Sequence, residues 1–435
     1  MIISLCIFMP FSNESSVYTQ SMTNIFIWII SLSSIAGVIL RPFKIKEAVW
    51  AVAGAILLLI FGLILPADAG TGVAKGTDVY LFLTGMMLLS ETAREVKLFD
   101  WLAAHAAKAA RGSSGRLFAL IYVVGVIVTA FLSNDATAVV LTPAVAAAVK
   151  TAKVKDPLPY LLICAFIANA ASFLLPISNP ANLVIYDGNM PSLWLWLQQF
   201  ILPSVFAIIT TYFVLRFTQR KELKNRVEHN IDIPKLSSHG RIALFGIVAT
   251  AIILLTCSAL GISLGLPTAI SGIITSGIVL VSAKKSPWVV IKGISWSILP
   301  LVAGLFVIVE AINKTGFTNI LTNALHQHTS GSIVATVWSS SIVTAVACNL
   351  MNNLPVGLIA GNVIQTGYIP EIIRRAILIA VDLGPNLSVT GSLATILWLV
   401  VLRREKVEIS AGKFLKLGVL VMTTALALAI VSLWL

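Results

Sequence analysis

Apolar stretches of spanning or near-spanning length recur from one end of this chain to the other, and they leave few folds open. IFIWIISLSSIAGVIL, AVWAVAGAILLLIFGLIL, LFALIYVVGVIVTAFL, SVFAIITTYFVLRF, IALFGIVATAIILLTCSALGI and the closing FLKLGVLVMTTALALAIVSLWL are spread over all 435 residues. About 20 apolar residues in a helix cross the hydrocarbon core, and only helices or closed barrels satisfy their backbone there. Composition agrees, with 58% hydrophobic and 11% charged residues against roughly a quarter charged in a soluble domain. The chain reads as an all-α polytopic membrane protein.

The net charge of +12 does not point to nucleic acid. The basic residues sit in short loops between spans, where they report membrane orientation. Cys6, Cys164, Cys257 and Cys348 are far apart and form no CxxC or Cys/His cluster. Neither a disulfide framework nor a metal site is expected, and no cofactor is. The N-terminal MIISLCIFMPF lacks the basic start of a signal peptide.

The one long polar stretch, residues 218–241, divides two hydrophobic halves that resemble each other. GMMLLSETAREVKLFDWLAAHA aligns with GLFVIVEAINKTGFTNILTNAL, matching Gly85 with Gly304 and Glu91 with Glu310. SNDAT falls opposite MNNLP, and NAASFLLPISNPANLVI opposite DLGPNLSVTGSLATIL. Repeats with interrupted helices at matching places point to a transporter.

Charge placement sets the direction of each repeat. Lys108, Arg111 and Arg116 precede the SND segment and Lys150, Lys153 and Lys155 follow it. With both ends on the cytoplasmic side, residues 116–150 form a re-entrant hairpin with its tip at Ser133-Asn134-Asp135. From Gly316 to Pro370 there is no Lys or Arg, so the second hairpin, 331–366, enters from outside. The expected organisation is an N-terminal segment 1–23 of open structure, a first repeat 24–217, a cytoplasmic linker 218–241 and a second, inverted repeat 242–435. Arg41, Lys44, Lys46, Lys284, Lys285, Arg403, Arg404 and Lys406 are then cytoplasmic. Ala67–Asp78, Tyr186–Pro191 and Gly261–Leu266 lie outside, and Arg374 and Arg375 strain the rule at an outer end.

Four polar breaks converge in this scheme. Two are hairpin tips, with Asn134 and Asp135 on one and Asn349, Asn352 and Asn353 on the other. Two are interrupted spans, Ser178 and Asn179 within PISNPAN, and Asp382, Asn386, Thr390 and Ser392 within DLGPNLSVTGS. Pro176, Pro180 and Pro385 interrupt these helices because proline lacks a donor and clashes one turn back. Unwound backbone at that depth must be buried in protein or line a cavity. Asp135 and Asp382 are the acids placed for proton coupling, whereas Glu91 and Glu310, near helix ends, read as interfacial. No Lys or Arg falls in any break, so the donors suit a small uncharged polyhydroxyl solute. Cys164 and Cys348 read as small buried hydrophobes.

LSNDATAVVLTP, MNNLPVGLIAG and above all DLGPNLSVTGSLATILWL resemble the signature segments of ArsB-type arsenite permeases of the ion transporter superfamily. The likeness runs from about residue 25 to the end. The family commonly has FAND where this chain has LSND, and PISNPAN departs further from its pattern. The resemblance implies a multi-pass protein of the inner membrane that exports neutral arsenite and antimonite in exchange for protons. It also implies, in some systems, a cytoplasmic arsenite-stimulated ATPase subunit. The chain itself has no G-x-x-x-x-G-K-[ST] motif, so a secondary transporter and not an enzyme is expected. The alternative is a sodium-coupled carboxylate carrier or sodium/proton antiporter of the same superfamily, although those usually carry SNT-type tips. An intramembrane aspartyl protease fits poorly, since SND and VDLGP are not its YD and GxGD motifs.

Overall fold

A computed structural model describes residues 12–186, 190–228, 233–367 and 369–435. The stretch MIISLCIFMPF, with Cys6, lies outside the described residues. Every regular element among the described residues is helical. The first half comprises α1 (Ser12–Leu40), α2 (Glu47–Ile60), α3 (Pro66–Lys75), α4 (Thr77–Glu95), α5 (Leu98–Ala109), α6 (Ser114–Phe131), the short turn α7 (Asn134–Ala136), α8 (Thr142–Thr151), α9 (Leu158–Ala170), α10 (Pro180–Tyr186) and α11 (Leu193–Thr218). The second comprises α12 (Ser238–Ala259), α13 (Gly265–Ser282), α14 (Trp288–Gly293), α15 (Ile298–Lys314), α16 (Phe317–Gly331), α17 (Ile333–Met351), α18 (Asn353–Thr366), α19 (Glu371–Leu383), α20 (Leu393–Arg404) and α21 (Ala411–Val431). Seven helices among the described residues are long and apolar enough to cross a membrane.

The repeats interlock. α2 packs along α15 and its counterpart α13 along α4, so each scaffold pair takes one helix from each half. Gly85 and Gly272 make the α4–α13 crossing possible, because a Cβ on Gly85 would run into the Thr268 carbonyl and one on Gly272 into that of Gly85. Small residues let backbones touch where no hydrophobic driving force separates helix from lipid. The outer faces of α11, α12 and α13 carry exposed Phe213, Phe217, Phe245, Ile252, Ile274 and Val281, a surface suited to acyl chains.

Each hairpin leaves from one end of the protein and returns to it. Val227 N donates to Gly112 O at 3.1 Å and Glu228 N to Ala152 O at 2.9 Å, so one strip of linker touches both ends of the α6–α8 hairpin. At this end Lys285 also pairs with Glu95 at 2.6 Å and His239 lies 3.1 Å from Ser282 Oγ. The 19-residue α4 carries the chain from there to the opposite end. There Lys75 meets Glu310 at 2.9 Å, Lys314 meets Asp68 at 2.7 Å and Gly265 N donates to Asp78 at 2.8 Å. Asn362 and Gln365 of α18 line a cleft with Lys75, so the α17–α18 hairpin opens at this second end. The two hairpins point toward each other.

The return arm of the first hairpin starts irregularly for a local reason. Pro143 cannot donate to Val139 O, and Thr137–Leu141 widens into a π-helical turn. Thr142 Oγ1 covers the loosened carbonyls, donating to Ala138 O at 2.7 Å.

Candidate functional site

The two interrupted spans cross at the centre, joined by polar side chains that carry no positive charge. α9 stops at Ala170 and the chain resumes as α10 at Pro180; α19 stops at Leu383 and resumes as α20 at Leu393. Asn179 Nδ2 donates to Asp382 Oδ1 at 2.5 Å, and the Ser172 hydroxyl bonds the same oxygen. Asn169 Nδ2 donates to Asn386 Oδ1 at 3.0 Å and to Thr395 Oγ1 at 3.3 Å, while Ser392 Oγ donates back to Asn169 Oδ1 at 3.2 Å. Asn386 Nδ2 reaches Phe166 O at 3.1 Å. Asp382 is 0% exposed, a position a carboxyl tolerates only when its environment compensates.

Each hairpin tip is laid against the break of its own repeat. Ser178 Oγ donates to Ala130 O at 3.0 Å in the first. In the second, Asn353 N donates to Gly391 O at 3.0 Å, and Asn349 Nδ2 to Gly384 O at 2.8 Å. Ser388 Oγ donates to Asn349 Oδ1 at 2.7 Å, and Thr390 Oγ1 to Asn349 O at 3.3 Å. Asn352 holds a left-handed φ of 74° and caps α18 through Leu354 N at 3.3 Å. Hydrogen bonds thus join each tip to a break and the two breaks to each other.

Within these contacts the candidate residues divide by what their polar groups have left over. Ser178, Asn179, Asn349, Asn352, Asn386, Thr390 and Ser392 are engaged inside the protein, capping helix ends or tying spans together. The Asn134 amide nitrogen, the Asp135 carboxylate and the Asn353 side-chain amide bond none of the described residues. Asp382 Oδ2 and Asn182 Oδ1 are buried and also unpartnered.

Asp135 and Asp382 occupy different surroundings. Asp135 is half-buried and faces a cavity of about 60 Å³ lined by Ser90, Glu91, Ser133, Pro180, Gly293 and Leu397. Asp382 is sealed in the crossing. Glu91 is not an interfacial side chain: it is buried, ion-paired to Arg94, and shares the Asp135 cavity because Gly293 of α14 closes directly over its carboxylate. Glu310 is held by Lys75 on the opposite cleft.

Sequence reasoning passed over Ser172 and Thr395 as site residues, and Asn169 entered it only as the start of an aligned segment. All three sit in or beside apolar helices without a proline to mark them. The available signal was a buried amide or hydroxyl within a span, which needs a partner there. Cys164 and Cys348 are buried, and Cys348 Sγ has only the Val381 carbonyl, at 3.9 Å.

Comparison with known proteins places this geometry. A family model described as CitMHS, citrate transporter, matches residues 26–381. The chain belongs to the citrate transporter family. It is 27% identical over 93% of its length to the arsenical pump membrane protein of Escherichia coli (strain K12), covering 97% of that protein. With the putative arsenical pump membrane protein of Bacillus subtilis (strain 168) it shares 26% identity, over 88% of this chain and 92% of the other. In structure it resembles the YdaH transporter of Alcanivorax borkumensis, with a TM-score of 0.57, 14% identity and coverage of 95% of this chain and 97% of that one. MtrF of Neisseria gonorrhoeae gives a TM-score of 0.54 at 13% identity, over 95% and 94%. At those identities the likeness shows the fold alone. The apolar spans and the bacterial relatives make this a multi-pass membrane transporter of the inner, cytoplasmic membrane.

Proposed function

We infer that this protein exports trivalent arsenic, as neutral arsenite, in exchange for protons, with antimonite accepted through the same hydroxyl chemistry. The carrying observation is the pairing of an uncharged donor set with one open acid. Asn134 and Asn353 leave amides free at the two tips, Asp135 leaves a carboxylate free between them in sequence order, and none of the crossing residues is Lys or Arg. A neutral cargo carries no charge to couple, so the charge must change on the protein. Asp135 supplies it, taking a proton from outside and releasing it inside, while the Asp382 cluster holds the crossing together.

Transport proceeds by alternating access in this reading, and the packing of the helices supports it. The hairpins and interrupted spans form a connected body, and the α2–α15 and α4–α13 pairs form the frame it moves against. The named relatives are arsenical pump membrane proteins and match nearly the whole chain, which supports arsenic as cargo. With the basic linker on the cytoplasmic side, an arsenite-stimulated ATPase subunit would have its docking face there.

The second reading is sodium-coupled carriage of a carboxylate, or sodium/proton exchange; the family model's description as a citrate transporter favours a carboxylate as cargo. Against it, a carboxylate cargo would find no fixed cation among the crossing residues. Expression in an arsenite-sensitive bacterial strain tests the two. Raised arsenite tolerance with lowered cellular arsenic is expected. Unchanged tolerance together with sodium-dependent citrate flux would assign the chain to the second reading.

A further inference from the structure

The cavity that Asp135 faces has one other titratable residue in its lining, Glu91, and it comes from a different body of the protein. Asp135 stands on the first hairpin, whereas Glu91 stands in the last turn of α4, a frame helix. The space between, about 60 Å³, admits several water molecules, since one needs only about 10–15 Å³ of such volume. On its far side the Glu91 carboxylate accepts two bonds from Arg94, whose guanidinium is half exposed at the linker end. Glu91 therefore touches the interior on one face and the linker-side surface on the other.

The repeat supplies an internal comparison. Glu310, the counterpart of Glu91, faces a cleft at the opposite end, lined also by Lys75, Asp78, Leu183, Leu358 and Asn362. The hairpin residues that correspond to Asn134 and Asp135 are Asn352 and Asn353, and the hairpin residues lining that cleft are Leu358, Asn362 and Gln365, so it has no hairpin acid. Two equivalent glutamates thus differ in whether a hairpin acid lies across the cavity; the acid that shares the Glu310 cleft, Asp78, belongs to the frame helix α4 and accepts from Gly265 N. Helix capping, frame packing and ion pairing are common to both positions; the hairpin acid is not.

We propose that Glu91 is the residue through which Asp135 releases its proton to the linker side. This rests on the proton-coupled reading above. The proton leaves the Asp135 carboxyl, crosses the cavity through water to the Glu91 carboxylate, and passes from there to inner solvent, leaving Asp135 ionised and the site ready for cargo. Glu91 is ion-paired to Arg94, which in turn lies near Glu95 on α4 and Asp100 on α5; Lys285 pairs with Glu95, His239 lines the neighbouring linker-end pocket, and Lys292 is exposed on α14. None of these lines the cavity.

Two fluxes of labelled arsenite in everted vesicles separate this role from a structural one. Net uptake driven by a proton gradient needs proton release; exchange of labelled for unlabelled arsenite without a gradient does not. Glu91→Gln is expected to lower net uptake by about tenfold or more and to leave exchange intact. Glu91→Asp recovers part of the loss. Gly293→Ala, which pushes the carboxylate aside without removing it, lowers net uptake in the same direction. Glu310→Gln leaves both fluxes unchanged. Net uptake preserved in Glu91→Gln, or both fluxes lost in equal measure in Glu91→Gln and Gly293→Ala, would overturn the proposal. Absence of both fluxes in the unaltered protein would instead contradict the arsenite reading on which it rests.

Discussion

Asn179 donates to Asp382 at 2.5 Å, and through that bond the first interrupted span is tied to the second across 203 residues of sequence. Two unwound stretches that would each be unstable in a bilayer are stable together, because each supplies the other's missing partners.

Asp382 is therefore expected to act first on stability. Asp382→Ala orphans the buried Asn179 amide, while the Ser172 hydroxyl keeps Asn169 O as an acceptor, and it lowers unfolding free energy by about 1–3 kcal/mol. Asp382→Asn keeps an acceptor at the same place and should lose less than half as much. Thermal unfolding of purified protein in detergent measures both, and equal losses would refute the assignment.

Asp135 makes the opposite prediction. Its carboxylate bonds none of the described residues, so Asp135→Asn should fold and insert at the unaltered level. Proton-driven arsenite transport should be abolished. Normal transport by this variant would remove Asp135 from the coupling step.

The thiols are expected to be bystanders. Cys164 and Cys348 are buried, and among the described residues neither has a second thiol to complete an arsenic-binding group. A variant with all four cysteines replaced by alanine should keep arsenite transport within about threefold, as expected for small packed side chains. A loss far beyond that, with intact folding, would show that a thiol handles the cargo.

Sidedness is tested in that cysteine-free background. Thr71 is exposed at the end bearing the Lys75–Glu310 pair, and Lys284 is exposed at the linker end. Thr71→Cys should react with an impermeant maleimide on intact spheroplasts and Lys284→Cys only in everted vesicles. The reverse pattern would invert the topology and with it the direction of export.

Much of this was legible in the sequence because it is written in proline and charge. Pro176, Pro180 and Pro385 mark the breaks, and SND and NNL mark the tips. The basic clusters on either side of the first hairpin agree with both of its ends meeting residues 225–228. The hydrogen-bond partners were less legible. Asn169 and Thr395 join across 226 residues, and no local pattern announces which buried amide meets which hydroxyl. Glu91 shows the limit most clearly. Its position near a helix end reads as interfacial, and only the approach of Gly293, from the other repeat, buries it.

The central claim is that an inward proton gradient drives neutral arsenite outward. Arsenite uptake into everted vesicles, with and without a protonophore, tests it most directly. The account predicts uptake that needs neither sodium nor ATP and collapses when the protonophore is added. Uptake that survives the protonophore, or that appears only with sodium, would contradict it.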